Sequence, residues 1–312
     1  MSQPVVTIAA LCYNNSRYVI ETLESIKAQT YPYVEVLLVD DCSTDNSVEV
    51  IQEWLREHHI HYWQLIRHSA NQGVTKTLNE VIGKASGKYF KAIACDDILL
   101  TEYTAYMVHQ FEQLTDDYAL LYSDVQTIDE HATPFGTSPF TERGWNDETA
   151  IPSGHIFDQL ADWCFIPAVS TIMRTSVVQH LQFSEHLKVE DWDMWLKIAK
   201  QYKIKGLNVQ LCQYRIHSAS VYQQKSPTYQ DHELQTVKQH MGHSLVADKK
   251  IKDFIYERSI RLYMNGGDRA AYWLWQRFLI KKTIPNAVNF LMALLGIRYE
   301  KRLKWKQQLQ QK

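Results

Sequence analysis

The 312-residue sequence predicts an α/β fold: a mostly parallel sheet flanked by helices, with a helical C-terminal extension. Three observations predict it. Short apolar runs alternate with helix-like runs through the first 125 residues, and such alternation builds a parallel sheet with right-handed crossovers. The runs are nearly continuous in Val, Ile and Leu, as expected of strands covered on both faces. From about residue 223 onward the chain reads almost entirely helical.

Val5–Leu11 reads as the first strand, and Ser16 can cap a helix running to about Gln29. Glu35–Val39 is the second strand. Ser43-Thr44-Asp45 opens a helix through about Glu57, with Thr44 or Asp45 as its cap. Tyr62–Ile66 is strand-like, and Gly73 precedes a helix to about Ala85, with Gly87 marking its end. Further strands are expected at Tyr89–Ala94, Ala119–Tyr122, Val169–Met173 and Val209–Tyr214, with helices at Thr101–Leu114 and near Asp191–Tyr202. Between 129 and 155, Asp, Thr, Pro, Gly and Ser accumulate, which reads as a long surface loop.

A hydrophobic content of 45% and an aromatic content of 12% support a folded core and exclude wholesale disorder. The net charge of −2 is unevenly spread: residues 268–312 hold ten Lys/Arg against two acidic residues, leaving −10 for the rest. Five widely spaced cysteines without a CxxC argue for reduced thiols and a cytoplasmic protein. The start of the chain has no basic and apolar leader pattern. No apolar stretch reaches the ~18–20 residues of a spanning helix.

There is neither a GxGxxG nor a GxxxxGK[ST] pattern, so phosphate handling is expected to use a metal in place of a glycine cradle. Asp40–Asp41 and Asp96–Asp97 each follow an apolar run, where ligands of open α/β sheets bind. Asp96–Asp97 offer hard oxygen ligands suited to Mg²⁺ or Mn²⁺. A helix cap is the plainer reading of either pair. Glu190, Asp191 and Asp193 open a helix beside Trp192 and Trp195. They read either as dipole-favoured acids or as a general base between aromatic walls. Arg215 and His217 end the last strand and could serve a diphosphate, with His217 as metal ligand or charge partner. His58, His59 and His61 lack partners at zinc spacing and read as solvated surface.

Taken in order, these residues resemble the family 2 glycosyltransferases of GT-A fold, especially bacterial polysaccharide-building members. The resemblance runs through Val6–Asn15, through Tyr18–Tyr31 with its S-I-x-x-Q-T-Y ending, and through Glu35–Ser47, close to E-x-x-x-V-D-D-G-S-T-D-x-S. It continues at Asn71-Gln72-Gly73-Val74 and Asn79, and covers about residues 4–220. It implies a catalytic domain at 1–222, with a nucleotide-sugar side at 1–125 and an acceptor side at 126–222, followed by a helical region at 223–312.

The resemblance also implies roles. Ala10, Tyr13, Asn15 and Asp41 would hold the nucleotide, with Asp40 in support. The D-x-D-D metal motif falls on Ala94-Cys95-Asp96-Asp97, so Ala94 replaces the first aspartate while Asp96 is retained for a divalent cation, Mn²⁺ or Mg²⁺. Cys42 stands where glycine is usual, which should stiffen that turn. Glu190-Asp191 matches the family's E-D pair, with Asp191 as base. Arg215 and His217 match the block that closes over the donor diphosphate. Trp163 and Trp192 are candidates to stack on the acceptor sugar.

The implied reaction is inverting transfer from a nucleoside-diphosphate sugar, a UDP-sugar first among them, to a saccharide acceptor that could be lipid-linked, in surface polysaccharide synthesis. The alternative is a nucleotide-sugar-binding protein that has lost turnover, for which Ala94 is the argument. Nucleotidyl transfer would require a Gly- and Lys-rich N-terminal loop, which the sequence lacks. The aromatic and basic mixture at 268–312 fits helices lying on the inner face of an anionic membrane. No nucleic-acid-binding module accompanies that charge.

Overall fold

The computed structural model describes residues 3–218 and 226–301. Strands β1 (Val6–Cys12), β2 (Val34–Asp40), β3 (Gln64–Arg67) and β4 (Tyr89–Ala94) alternate with helices α1 (Val19–Lys27), α2 (Ser47–Glu57) and α3 (Val74–Lys84). The two-residue β5 (Ile98–Leu99), α4 (Tyr103–Glu112), the long β6 (Tyr118–Ile128) and two short helices, α5 (Pro139–Glu142) and α6 (Phe157–Leu160), follow. Then come β7 (Ile172–Arg174), α7 (Thr175–Leu181), α8 (Glu190–Ala199) and β8 (Lys203–Arg215). Helices α9 (Pro227–Gln239), α10 (Leu245–Met264), α11 (Ala270–Ile280) and α12 (Ile284–Leu294) complete the described chain.

The eight strands form one sheet in the order β3-β2-β1-β4-β7-β6-β8-β5. β1 lies parallel between β2 and β4, and β3 adds parallel to β2. β7 runs antiparallel to both β4 and β6, and so joins this half to the parallel pair β6–β8. β5 pairs antiparallel with β8 at the edge. The sheet is mostly parallel, as the alternation predicts. β6 continues past its apolar run through Asp124–Ile128, and β8 begins six residues before its expected start, over Lys203–Asn208, where buried and more exposed positions are mixed. The helix cap expected at Thr44 or Asp45 falls at Asn46. Asp45 instead accepts from the Ser47 amide at 3.0 Å and from the Ser47 hydroxyl.

Two positions show how closely sequence and backbone are matched. A Cβ on Gly87 would lie 2.6 Å from the Thr7 amide nitrogen and 2.8 Å from the Val5 carbonyl oxygen, so glycine lets the start of β4 abut β1. Cys42 has φ +62°, the left-handed region in which a side chain costs ~1–2 kcal/mol. The usual glycine would carry no such cost there.

The chain divides into two compact units. The larger comprises the described residues of Met1–Ile156, Phe165–His186 and Glu190–Ser220. It encloses the main core, in which Ile8, Leu23, Leu38, Tyr89, Tyr103, Phe111, Leu121 and Ile172 are wholly buried. The smaller comprises Phe157–Cys164, Leu187–Val189 and the described part of Val221–Lys312. It has its own cluster around Tyr263, Ala270 and Leu274, packed by Ile260, Phe290, Met292 and Ala293.

Candidate functional site

The register of the sheet aligns three turns along one edge. Cys12 stands beside Asp40 and Leu11 beside Ala94, so β1, β2 and β4 end together. Backbone bonds continue the alignment: the Asp41 amide donates to the Cys12 carbonyl, Cys95 to Leu11 and His68 to Asp40. The two aspartate pairs therefore end strands that flank β1 on opposite sides, not neighbouring strands.

Asp41 is buried and almost fully committed. Its Oδ1 accepts from the Gln72 amide at 2.8 Å and faces His68 Nδ1 at 2.8 Å, while Oδ2 accepts from the Gly73 amide at 2.8 Å. Burial pushes its carboxyl up, but the two amides and His68 outweigh it and hold the group below the ordinary aspartate value. His68 Nε2 meets Glu80 Oε2 at 2.9 Å. Burial alone would lower the imidazole, yet the two carboxylates raise it above its ordinary value. Asp40 Oδ2 accepts from the Ser43 amide at 3.0 Å. Its buried Oδ1 has no donor among the described residues, an arrangement that costs free energy and is rare in native proteins.

The turn after β1 is held by the turn after β2. The Asn14 amide donates to Ser43 Oγ, the Asn15 amide to Ser47 Oγ and the Thr44 amide to Asn14 Oδ1. Tyr13 is exposed there, while Ala10 is wholly buried between β2 and β4. Its side chain points into the core, so the residues of this turn that a ligand can reach begin at Tyr13.

At the end of β4 the two aspartates divide their work. Asp97 is buried, and its Oδ1 accepts from the Arg215 amide at 2.9 Å. Burial, and then the neighbouring Asp96 charge, push its carboxyl far above the ordinary range. Asp96 is half-buried, with Oδ2 3.1 Å from His217 Nε2. Ala94 is exposed in front of this pair. Among the described residues no group of three or more His, Cys, Asp or Glu side chains converges as a ready metal cage. Asp96 Oδ2 and His217 Nε2 stand at hydrogen-bonding distance, and as a carboxylate oxygen and an imidazole nitrogen they would suit a divalent cation by donor chemistry.

Arg215 is the clearest departure from expectation. Its side chain is wholly buried. Nε donates to the Asp96 carbonyl at 2.7 Å, one terminal nitrogen to the Asp129 carbonyl at 3.0 Å and the other to Glu21 at 2.7 Å. The guanidinium also lies 4.7 Å from the Tyr18 ring centroid, and Tyr18 packs on His217 at 5.0 Å. All this places Arg215 behind the Asp96–His217 pair, where it fixes the loop and has no open edge for a diphosphate. Sequence patterns miss Tyr18 and Glu21, although their i, i+3 spacing puts them on one face of the first helix.

Helix α8 carries the other candidates. Glu190 and Asp191 are half-buried at its start, and Trp192 is buried with Met194, Trp195 and Leu196. Asp191 Oδ1 accepts from the Trp192 amide at 2.7 Å. Burial raises Asp191 above the ordinary aspartate value, and burial together with the Asp191 charge raises Glu190 to about 8. Asp193 is structural, buried and paired with Lys197 at 2.9 Å. Trp192 is therefore a core residue, not a sugar platform. Trp163 is partly exposed and belongs to the smaller unit.

A sheet whose aligned strand ends gather carboxylates and an imidazole at turns tied together by their own side chains is that of an α/β ligand-binding fold. The profile of "Glycosyl transferase family 2" matches residues 7–163, and the chain belongs to that family. The poly-β-1,6-N-acetyl-D-glucosamine synthase of Staphylococcus epidermidis is 32% identical over 102 residues, 33% of this chain and 24% of that protein. The chain spans about a third of the length of the Rickettsia glycosyltransferases it matches at 26–27% identity. Among solved structures, Staphylococcus aureus TarS 1-349 with UDP superposes at TM-score 0.62 and 15% identity, covering 97% of this chain and 91% of that one. The mannosyltransferase PcManGT of Pyrobaculum calidifontis, with GDP-Man and Mn²⁺, superposes at 0.63 and 16%, covering 97% and 83%. Likeness at this identity is likeness of fold, and that fold is the GT-A type.

Proposed function

We propose that the chain is an inverting glycosyltransferase that moves a sugar from a nucleoside-diphosphate donor to a saccharide hydroxyl. The observation that carries the reading is the alignment of Tyr13–Asn15, Asp40–Asp41 and the Asp96–His217 pair along one sheet edge. Solved structures of this fold are complexes with UDP or with GDP-Man and Mn²⁺, which supports the donor class. A polysaccharide synthase among the sequence relatives supports an acceptor that is a growing glycan.

Asp41, held by His68 and two amides, would take the base or ribose of the nucleotide, with Tyr13 open beside it. Asp96 and His217 would hold a divalent cation. When bound, such an ion neutralises charge that develops on the departing diphosphate. Arg215 positions the Asp96 loop and does not touch the donor. Asp191 would accept the proton of the acceptor hydroxyl. The freed oxygen forms a bond to the anomeric carbon as the bond to the diphosphate oxygen breaks, and that electron pair leaves with the nucleoside diphosphate. One displacement inverts the anomeric configuration.

Asp191→Asn is expected to lower transfer by ~10²–10⁴-fold while leaving nucleotide binding within about twofold of wild type. Release of nucleoside diphosphate from a panel of nucleotide sugars, with Mn²⁺ or Mg²⁺ and a saccharide acceptor, measures it. Wild-type turnover in that variant would remove Asp191 as the base.

A further inference from the structure

Helix α12 is built inside out. Its buried residues are Asn286 and Asn289, at 3% and 6% exposure. Ile284, Leu291, Leu294 and Leu295, by contrast, stand 81%, 52%, 61% and 72% exposed in and just after the helix. Ile284, Leu291 and Leu295 recur at i, i+7 and i+11, which is one stripe of an α-helix, and Asn286 and Asn289 lie on the opposite side. The inward asparagine is held in place: Arg277 donates to Asn286 Oδ1 at 3.0 Å, and Asn286 Nδ2 donates to the Lys281 carbonyl at 2.7 Å. Leu279 is exposed in the preceding turn of chain. A contiguous apolar face of this kind on a folded protein marks a surface that something covers.

Charge identifies what covers it. From Arg269 to Tyr299 there are five cations, Arg269, Arg277, Lys281, Lys282 and Arg298, and no acidic residue. Lys281 and Lys282 are exposed just ahead of α12, and Arg298 is exposed just after it. A second copy docking through the same face would set cation against cation around the shared axis. Anionic lipid headgroups complement the rim and admit the leucines beneath it. At 11 residues the helix is ~16 Å long, about half of the ~30 Å hydrocarbon core. Among the described residues no helix is long and apolar enough to cross a membrane. The geometry is that of a helix lying along the surface.

We propose that the outward face of α12, with Leu279, Lys281, Lys282 and Arg298 at its rim, docks the protein on an anionic lipid surface. This does not depend on the donor reading, and it would bring the enzyme to an acceptor carried by lipid.

Flotation of the full chain with vesicles tests it. Vesicles of phosphatidylcholine with 30% phosphatidylglycerol should carry the protein at low salt, and pure phosphatidylcholine should carry at least about tenfold less. The triple variant Ile284→Glu, Leu291→Glu, Leu295→Glu should lose at least tenfold of the bound fraction with unchanged helical circular dichroism. Lys281→Glu with Lys282→Glu, which leaves the apolar face intact, should do the same and guards against misfolding of the triple variant. Absence of wild-type binding to anionic vesicles at low salt would overturn the proposal. So would sedimentation showing a wild-type dimer that the triple variant dissociates, with no lipid binding by either.

Discussion

At the scale of single residues, the ring of His68 carries the most consequence. A neutral imidazole has one N–H, yet here both nitrogens sit 2.8–2.9 Å from carboxylate oxygens, Asp41 on one side and Glu80 on the other. Only the imidazolium donates to both. Lys84 lies 3.8 Å from the other oxygen of Glu80. The raised imidazole contributes stability that is complete below its unfolded value near ~6.5 and is lost as pH rises through the folded value. Asp41, held low, contributes above its unfolded value, and that contribution is lost as pH falls through the folded one. The donor turn is thus best ordered between the two. Ring-nitrogen NMR should show His68 doubly protonated at pH 7, with His68→Gln used to assign the signal. That variant should weaken UDP or GDP binding by about tenfold or more, since a charge-assisted hydrogen bond contributes ~1.5–3 kcal/mol. A ring that titrates at or below the ordinary value would refute the assignment, whatever the nucleotide result.

At the scale of elements, helix α8 shows what a sequence can and cannot disclose. Its acidic start and aromatic stripe are legible, but only the family resemblance sets Asp191 apart from Glu190 and Asp193. The alternating strands and helices of the first 125 residues were equally legible, because burial on both faces leaves unbroken apolar runs. What the sequence could not reveal depends on partners far along the chain. Arg215 looks like a phosphate ligand until Glu21, Asp129 and the Asp96 carbonyl claim every edge of its guanidinium. Ala10 and Trp192 look accessible until register and packing bury them. His68 is invisible as a functional residue because both of its partners come from other elements. The carboxylates of α8 yield a sharper expectation. With Glu190 raised to about 8 by burial and the neighbouring Asp191 charge, that group is the one held protonated at pH 7. Glu190→Gln resembles the protonated state and should keep transfer at pH 7 within about tenfold of wild type, in contrast to Asp191→Asn. Because the Asp191 value is raised, activity should fall on the acid side well before an ordinary aspartate would titrate. A pH–rate profile with its acid limb near pH 4, or a Glu190→Gln variant as inactive as Asp191→Asn, would count against this division of roles.

At the scale of the whole molecule, two compact units with separate cores share one chain, and the candidate donor residues all belong to one of them. Tyr13, Asp41, Asp96 and His217 sit in the larger unit, whereas Trp163 and the inverted helix α12 belong to the smaller. Charge is uneven along the chain as well, −10 over residues 1–267 and +8 over residues 268–312. Ligands that engage only one unit should therefore stabilise only that unit. A ligand present at about 100 times its Kd adds ~2.7 kcal/mol to the state that binds it. For a unit of this size, each kcal/mol moves the midpoint by roughly 2–4 °C. Calorimetry with UDP or GDP and Mn²⁺ should raise the transition of the larger unit by roughly 5–10 °C. Chelation should remove most of the shift, because Asp96 and His217 would lose the ion that links them to the diphosphate. His217→Ala should abolish the metal-dependent part and leave the metal-free nucleotide shift, which rests on Asp41. A shift in the smaller unit alone, or one indifferent to both chelation and His217, would place the nucleotide elsewhere.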